Sequence, residues 1–599
     1  MTVRPVLVFD GKCGFCRMWT EFWQSLTGDR VEYVPFQSAA ERFPDVPEEE
    51  FRGAVQYITP TLRLQGAEAV AKLLADVPGY GWMDSLYRAA PGFAILADAL
   101  YGFVAKHRNL AHRVTKALWG ERVVRPLYHE ASAIFSKALS FIYLIAFASF
   151  GMQLRGLVGA QGILPAATYF RFAIAQLGSA AYWRVPSLFW WSHSDFAMLS
   201  IAWGGVALAA ISILAKPHSG WQKLIFGILF VYYLSIVSAG QIFMGYQWDL
   251  LLLEAGFLAI FLRPARPRVW LPQWLLFRLL FESGLVKLLS GDPSWRGLTA
   301  LTAHYETQPL PTALAWVAQQ LPGWFQRFST GAVLAIELVL PFLIFGPRKL
   351  KQIAAFGVLG LQMLIFATGN YTFFNLLTMA LCLFLFDDAF FAGLRKKAYR
   401  AGTPGRANLM VSGVLITVVM ALSFIGIGGM FGVSTPQLTE VAETVAPFGI
   451  VNQYGLFAVM TTKRPEVEVE GSLDGEHWLP YTFRYKAGPL NRLPGWVAPF
   501  QPRLDWQMWF AALGSFRQNP WFVRFMISLL EGSKPVLALL ERDPFGGRPP
   551  AKVRALVYEY HFTGFGEWRK TGNWWKRELK GTYFPPVGLK SGGTGGAGR

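Results

Sequence analysis

The chain has 599 residues, of which 53% are hydrophobic and 16% aromatic, and its formal net charge is +18. The apolar residues fall in long blocks, which excludes an ordinary soluble globular protein and indicates a polytopic membrane protein with several domains. No basic helix or basic-aromatic strand pattern stands out, so the positive charge indicates membrane flanks and excludes a nucleic-acid partner. With only three cysteines, a disulfide framework is excluded.

The first predicted domain spans residues 1–125 and is a thioredoxin-like α/β domain. An apolar strand, Val6–Phe9, runs into Asp10-Gly-Lys-Cys13-Gly-Phe-Cys16, and a helix over 16–26 follows. The polar start of this domain predicts no cleavable signal peptide. Thr59-Pro60 is a candidate for the cis-proline that thioredoxin-like folds often place beside the cysteines, although a proline in an ordinary loop is a simpler interpretation.

The two cysteines of this motif form a CxxC pair, which can cycle between dithiol and disulfide. Cys13 is the predicted nucleophile, because a helix N-terminus stabilises its thiolate, and Cys16 is the resolving partner. Asp10 either accepts a proton or shapes the turn. Half a zinc site or two inert thiols are the other interpretations; since no second CxxC or histidine pair is nearby, we expect no metal and no cofactor. The motif and the strand before it resemble the DCC family of predicted thiol-disulfide oxidoreductases.

The second predicted domain, residues 126–435, is a multi-span helical membrane domain. The loops between its apolar segments are alternately basic and weakly charged, which by the positive-inside rule places the N-terminus in the cytoplasm. With about nine spans, the C-terminal domain then lies outside. The predicted spans are 132–153, 196–215, 222–244, 247–263, 273–291, 327–346, 352–369, 373–391 and 408–431.

Five ionisable residues inside these spans are candidates for a polar site between helices. Such groups are costly in hydrocarbon and usually face a bundle interior. Two of them are spaced i,i+4 and could pair on one helix face, and the lysine is expected near one of two glutamates, at 254 or 337. Structural ion pairs, or side chains that snorkel to the interface, are the competing interpretation. The candidates are Glu254, Arg278, Glu282, Lys287 and Glu337, with the i,i+4 pair at Arg278 and Glu282.

The third predicted domain, residues 440–585, is a β-rich α+β domain. Alternating residues before the turn Leu473-Asp474-Gly475 predict a hairpin, and 553–562 predicts another strand. Helices are expected over 506–513 and 521–540. The Gly-rich tail, 588–599, is expected to be disordered.

Aromatic residues near the end of this domain are candidates for binding a folding client. Trp568, Trp574 and Trp575 lie close together in the chain. The competing interpretation is that they form the domain's own core or a membrane-facing belt. No G-x-S-x-G motif is present in this domain, which argues against direct lipid hydrolysis.

Residues 130–585 contain six long and unusual motifs: Tyr246–Glu254, Ser283–Asp292, His304–Pro311, Thr368–Asn375, Asn452–Met460 and Gln501–Phe510. These motifs resemble the lipase maturation factor family. The resemblance implies a multi-span membrane protein whose eukaryotic relatives sit in the endoplasmic reticulum and help secreted lipases to fold and assemble. The extra N-terminal CxxC domain departs from that family and indicates a bacterial inner-membrane protein, with the C-terminal domain periplasmic or extracellular. In a eukaryote the C-terminal domain would be lumenal.

Two hypotheses about function follow. The first is a membrane-bound maturation factor for secreted enzymes, with an accessory redox domain; the family resemblance implies that these enzymes are lipases. The second is a membrane thiol-disulfide oxidoreductase whose helical core handles a quinone or another lipid-soluble substrate. The expected partners are membrane lipid, a secreted client protein and a cytoplasmic thiol redox partner. Because the topology puts Cys13 and Cys16 in the reducing cytoplasm, the pair is expected to rest as a dithiol.

Overall fold

The computed structural model describes residues 4–39, 42–75, 77, 80–123, 126–262, 268–391 and 406–589. The described residues form two compact units. The first unit holds the chain up to Leu127 together with two later stretches, 345–353 and 387–391, and the second unit holds the rest.

The N-terminal part of the first unit is a four-stranded sheet covered by helices on both faces. The strand order is β2-β1-β3-β4; β1 and β2 are parallel, whereas β3 and β4 form an antiparallel hairpin. The parallel pair joined by a helix is the β-α-β arrangement predicted around the CxxC motif. The elements are β1 Val6–Phe9, α1 Gly14–Thr27, β2 Glu32–Pro35, α2 Phe36–Ala39, α3 Glu48–Gly53, β3 Gln56–Ile58, β4 Arg63–Gln65, α4 Gly66–Ala75, α5 Trp82–Ala89, α6 Pro91–Lys106 and α7 Arg108–Trp119.

Both faces of this sheet are apolar because successive side chains of β1 point in opposite directions. Leu7 packs in a cluster with Ala69 and Leu73 of α4. Val6 and Val8 pack in a second cluster with Phe36 and Phe51, from α2 and α3. The central strand is therefore fixed from both sides, and the loop that follows it, which carries the cysteines, starts from a rigid base.

The second unit is built on long apolar helices. Its helices up to the C-terminal region are α8 His129–Leu157, α9 Ala166–Leu177, α10 Ala181–Arg184, α11 Asp195–Leu214, α12 Gly220–Gly240, α13 Gln247–Phe261, α14 Trp270–Leu289, α15 Pro293–Arg296, α16 Ala300–Thr307, α17 Ala313–Gln319, α18 Gly323–Leu338, α19 Leu340–Leu343, α20 Arg348–Thr368, α21 Phe374–Cys382, α22 Asp388–Phe391, α23 Arg406–Met430 and α24 Pro436–Val445. The N-terminal end of α20, residues 348–353, and the whole of α22 fall in the stretches assigned to the first unit.

Within the described residues, six helices are long and apolar enough to cross a membrane, rather than the nine predicted. They are His129–Leu157, Asp195–Leu214, Gly220–Met244, Gly323–Leu343, Arg348–Thr368 and Met410–Met430. The bent pair α5–α6, which turns by 110°, would make a seventh. The nine-span count is therefore not confirmed, while a helical membrane domain is.

The three predicted spans that miss this threshold do so for physical reasons. The helices α13 and α21 have 15 and 9 residues, about 22 and 14 Å of helix, against a hydrocarbon core of about 30 Å. Helix α14 has 20 residues but carries three charged side chains, at positions 278, 282 and 287.

The C-terminal region contains a second four-stranded sheet, with the order β6-β5-β7-β8 and every neighbouring pair antiparallel. The predicted hairpin and the strand 553–562 are both found. Its elements are β5 Pro465–Ser472, β6 Leu479–Pro480, α25 Arg503–Ala512, α26 Pro520–Leu530, α27 Lys534–Leu537, β7 Lys552–Phe562, α28 Phe565–Thr571 and β8 Trp575–Val587. The predicted disordered tail lies outside the described residues from position 590 onward.

Candidate functional site

The CxxC pair lies where β1 ends and α1 begins. Cys13 is the N-cap residue of α1, and its Sγ accepts a hydrogen bond from the backbone N–H of Cys16 at 3.4 Å. Both side chains are half-buried free thiols. Unpaired backbone N–H groups and the helix dipole make the first turn of a helix favourable for negative charge. The geometry therefore favours a thiolate at Cys13.

The two thiols have opposite pKa shifts. The hydrogen bond between the two side chains is the main cause that lowers the pKa of Cys13 to about 6, assisted by backbone N–H groups and Arg108 and opposed by burial. The same hydrogen bond, with burial, raises the pKa of Cys16. At pH 7 Cys13 is therefore mostly thiolate while Cys16 keeps its proton, as an attacking and a resolving cysteine require.

Asp10 is held by hydrogen bonds in the turn before the cysteines. Its Oδ1 accepts from the backbone N–H of Lys12 at 3.0 Å and from Nε2 of Gln37 at 2.8 Å. Its Oδ2 accepts from a guanidinium nitrogen of Arg108 at 3.4 Å. These contacts fix the position of the carboxylate in the turn before the cysteines.

A groove of about 1000 Å³ opens beside Cys13. The segment Arg52-Gly53, just before β3, forms one wall, and residues 102–112 of α6 and α7 form another. The guanidinium of Arg108 joins the walls, because it donates to the carbonyl oxygens of Arg52 at 2.5 Å and Gly53 at 2.8 Å.

The suggested position of a cis-proline is wrong. Thr59 and Pro60 form the turn between β3 and β4, where Thr59 N–H donates to the carbonyl of Leu62 at 2.8 Å. Among the described residues the cis peptide bond is Ala498–Pro499. The segment beside Cys13 is instead Arg52-Gly53, which precedes β3. Thr59-Pro60 follows β3 and therefore lies at the other end of that strand.

Two of the membrane candidates, Glu254 and Arg278, form a buried ion pair between α13 and α14. Both carry contacts to a loop that precedes the C-terminal sheet. Arg278 donates to the carbonyl of Asn452 at 2.7 Å. Glu254 Oε2 accepts from Tyr454 Oη at 2.8 Å and from the backbone N–H of Asn452 at 2.9 Å. The pair therefore fastens this loop between two helices.

The i,i+4 pairing expected for Arg278 and Glu282 is replaced by a different arrangement. Glu282 Oε2 accepts from the backbone N–H of Tyr454 at 2.9 Å, and the partner of Arg278 is Glu254. Lys287 pairs with Glu337 at 2.8 Å, the second of its two expected partners. Every member of the candidate set is thus engaged by protein groups, which matches the structural interpretation of these charges.

Asp249 is a further ionisable residue within a predicted span, and it forms a buried ion pair with Arg503, a partner that the sequence did not predict. Both guanidinium NH groups bond the carboxylate, at 2.9 and 3.0 Å, and both side chains are 0% exposed. The hydroxyl of Tyr233 donates to the same carboxylate at 2.5 Å. Asp249 stands in the first turn of α13 and Arg503 at the start of α25, so the pair ties the C-terminal region to the membrane helices.

A third buried arginine, Arg464, holds the segment around 304–311. Its guanidinium donates to the carbonyl oxygens of Glu306, Gln308 and Pro309 at 2.8, 2.5 and 3.1 Å. It also pairs with Glu466 at 2.7 Å. The signal available in the sequence was that these residues fall within or beside the long family motifs.

The tryptophans proposed to bind a client lie in a hydrophobic cluster. Trp575 is 2% exposed, and Trp568 and Trp574 are partly buried against the same cluster. All three belong with Trp316, whose ring centroid lies 4.9 Å from that of Trp574. In this conformation they form a core, which is the competing interpretation that the sequence left open.

Comparison with known proteins covers all three regions. A model of the lipase maturation factor transmembrane domain matches residues 131–393, and one of the lipase maturation factor C-terminal domain matches residues 450–585. A model of DCC1-like thiol-disulfide oxidoreductases matches residues 7–114. No solved structure matches.

Named relatives are similar over most of the chain. Lipase maturation factor 2 of Xenopus laevis is 34% identical over 589 residues, with 77% of this chain and 82% of that protein covered. Lipase maturation factor 2 of Homo sapiens is 34% identical over 592 residues, with 76% and 82% covered. Lipase maturation factor 1 of Bos taurus is 32% identical over 497 residues, with 75% and 88% covered.

Proposed function

Because the chain belongs to the lipase maturation factor family, we propose that it assists the folding or assembly of secreted enzymes from within a membrane. The named relatives are maturation factors of lipases, so a secreted lipase is the proposed client. The observation that carries this proposal is the match of both family models to the two regions that the Asp249–Arg503 ion pair joins. The alternative of a quinone-handling oxidoreductase gains no support from the relatives.

The proposal is tested by co-expression of the full chain with a secreted lipase in a host whose own maturation factor gene is deleted. The expected result is more lipase activity per milligram of secreted protein, with lipase co-purifying with the membrane protein. The matched control is a secreted enzyme unrelated to lipases, whose specific activity is expected to stay constant. Equal lipase activity with and without the chain would contradict the proposal.

For topology, the proposal is nine crossings, with the N-terminal domain cytoplasmic and the C-terminal domain on the other side. The bacterial inner membrane is the proposed location, because of the N-terminal redox domain. The alternating basic loops support the cytoplasmic N-terminus. An even number of crossings would instead leave both ends of the chain on one side.

Contacts at the helix ends support the three extra crossings. Helix α13 begins beside Arg503, with Asp249 in its first turn, and ends where Phe261 accepts a hydrogen bond from Arg268. Arg268 also donates to Ser412 near the start of α23. Helix α14 returns from there to Asp292, which accepts from the backbone N–H of Met460 at 2.5 Å. Each of the two helices therefore has one end beside the C-terminal region and its other end near Arg268 and the start of α23.

Helix α21 also runs between these two ends. It follows Tyr371, which lies beside His304, and leads to Phe384, whose carbonyl accepts from Gln273 at the start of α14. Each charged side chain of α14 has a protein partner: Glu254 for Arg278, the backbone N–H of Tyr454 for Glu282 and Glu337 for Lys287. The polarity of α14 is therefore compatible with a position inside the bundle.

Reporter fusions to the C-terminus of the full chain test this topology. Alkaline phosphatase is active only outside the cytoplasm, whereas a green fluorescent protein matures inside it. Nine crossings predict active phosphatase and a dark fluorescent fusion. The reverse result would place the C-terminal domain in the cytoplasm and would overturn the proposed topology.

The N-terminal domain is proposed as an accessory thiol-disulfide module. Its support is the CxxC geometry, the low pKa of Cys13 and the match to the DCC1-like model. In the cytoplasm a thiol partner keeps the pair reduced, so the module exchanges electrons with a cytoplasmic partner and does not oxidise the secreted client.

A further inference from the structure

The groove beside Cys13 has a cationic rim. Four cationic side chains line it, against the single carboxylate of Asp10. That carboxylate is already engaged by Arg108, Gln37 and the backbone of Lys12. The four are Lys12, Arg52, Lys106 and Arg108.

Two of these charges are available to a ligand. Lys12 and Lys106 are exposed, and within the described part of the chain neither has an ion-pair partner. Arg52 forms an exposed pair with Glu48, and Arg108 is bound to backbone carbonyls and Asp10. The volume of about 1000 Å³ lies at the upper end of the range for small-molecule sites. A negatively charged ligand of the size of a short peptide therefore matches both the volume of the groove and its positive charge.

We propose that the N-terminal domain reduces a small disulfide that carries carboxylates, which Lys12 and Lys106 attract to the Cys13 sulfur. The inference rests on the proposed thiol-disulfide role and adds the substrate class. A cationic disulfide is disfavoured by the same two lysines, and a neutral one is intermediate.

The exchange is balanced by the protein's own two thiols. The Cys13 thiolate attacks one sulfur of the substrate R–S–S–R, forms a mixed disulfide and releases the first R–S⁻. Cys16 then loses its proton to solvent and attacks the Cys13 sulfur, which releases the second R–S⁻. The two cysteines are oxidised to a disulfide, and the substrate gains two electrons and two protons as two thiols.

The test is single-turnover oxidation of the prereduced full-length protein in detergent. The probes are dithiodiglycolate with two negative charges, bis(2-hydroxyethyl) disulfide with none, and cystamine with two positive charges. Each rate is divided by the rate of the same probe with free dithiothreitol, which removes differences between leaving groups. At low salt, one lysine about 8 Å from the probe charge changes the ratio of the dithiodiglycolate rate to the cystamine rate by about fivefold.

The wild-type chain is expected to favour dithiodiglycolate over cystamine by roughly tenfold or more, and 0.5 M salt is expected to weaken this preference. The double variant Lys12→Gln with Lys106→Gln should bring the ratio close to one. Arg4→Gln, which removes an exposed charge outside the groove, is the matched control and should leave it unchanged. A ratio near one in the wild type, or no change in the double variant, would overturn the inference.

A second measurement separates this inference from the proposed redox role. If no disulfide reacts, the redox role fails, and the charge of the groove is then read from alkylation of Cys13 followed by mass spectrometry. The iodoacetate-to-iodoacetamide rate ratio supports the cationic site if it falls in the double variant. The same ratio in both chains overturns it.

Discussion

Removal of the carboxylate of Asp249 is expected to loosen the C-terminal region from the membrane helices. In Asp249→Ala the guanidinium of Arg503 keeps its charge, is 0% exposed and loses two hydrogen bonds of 2.9 and 3.0 Å. The hydroxyl of Tyr233 loses its acceptor as well. A buried charge without its partner is the most costly consequence of such a substitution.

Breaking a buried ion pair by removing one partner costs about 3–5 kcal/mol, which corresponds to roughly a hundredfold to several-thousandfold shift in the opening equilibrium of α25. The double variant Asp249→Ala with Arg503→Met removes the stranded charge. Its cost should be about 1–3 kcal/mol, the desolvation of the Tyr233 hydroxyl and the Phe243 carbonyl that Arg503 also bonds. The double variant is therefore expected to be more stable than the single one.

Hydrogen exchange of the full-length protein, followed by mass spectrometry of peptides from α25, measures this difference directly. Exchange in Asp249→Ala should accelerate by the factor given above, and the double variant should recover part of the protection. The control is Lys576→Met, which breaks an ion pair that is 55% and 40% exposed and should cost less than about 1 kcal/mol. Two results would refute the reasoning: an exchange rate of α25 in Asp249→Ala equal to that of the wild type, or faster exchange in the double variant than in the single one.

Two further predictions concern the cysteine site and the buried ion pair between Glu254 and Arg278. Because the pKa of Cys13 is lowered to about 6, its alkylation rate by iodoacetamide should rise with pH through a midpoint near 6 and level off by about pH 7; a midpoint near 8.5, the ordinary thiol value, would contradict this. Arg278→Leu leaves the carboxylate of Glu254 buried and unpaired and should cost about 3–5 kcal/mol, whereas Tyr454→Phe removes one hydrogen bond and should cost about 1–2 kcal/mol. Thermal unfolding of both variants in detergent compares them, and equal losses of stability would be inconsistent with the ion pair.

The local features of the chain were predictable because neighbouring residues determine them. The strand before the cysteines, the CxxC turn and the helix start follow from sequence order, and the structure has α1 at Gly14–Thr27. The hairpin at Leu473-Asp474-Gly475 was likewise found. In these cases the pattern of a few consecutive residues decides the backbone.

The partners of the buried charges were not predictable in the same way. The i,i+4 spacing allowed Arg278 to pair with Glu282 one helical turn away, but Glu254 on another helix is its partner, because tertiary packing places that carboxylate and the 452–454 loop together. Arg503 and Asp249 are 254 positions apart in the chain. Spacing along one helix carries no information about such contacts.

Burial also changed the meaning of an alternating pattern. Glu466 belongs to a run in which valine and glutamate alternate, a pattern that ordinarily turns the charged residues toward solvent. It is nevertheless 2% exposed, because Arg464 and Lys486 pair with it at 2.7 and 2.8 Å. Arg464 and Lys486 both lie outside β5. The alternating pattern within this strand therefore could not indicate that Glu466 is buried.

The central claim is that maturation depends on the helical and C-terminal regions and not on the cysteine pair. The most direct measurement is the specific activity of a co-expressed secreted lipase with three chains at equal membrane abundance: the wild type, Cys13→Ser with Cys16→Ser, and Asp249→Ala. We predict wild-type activity with the double serine variant and a loss of activity with Asp249→Ala. Loss of activity with the serine variant, together with full activity of Asp249→Ala, would contradict the account.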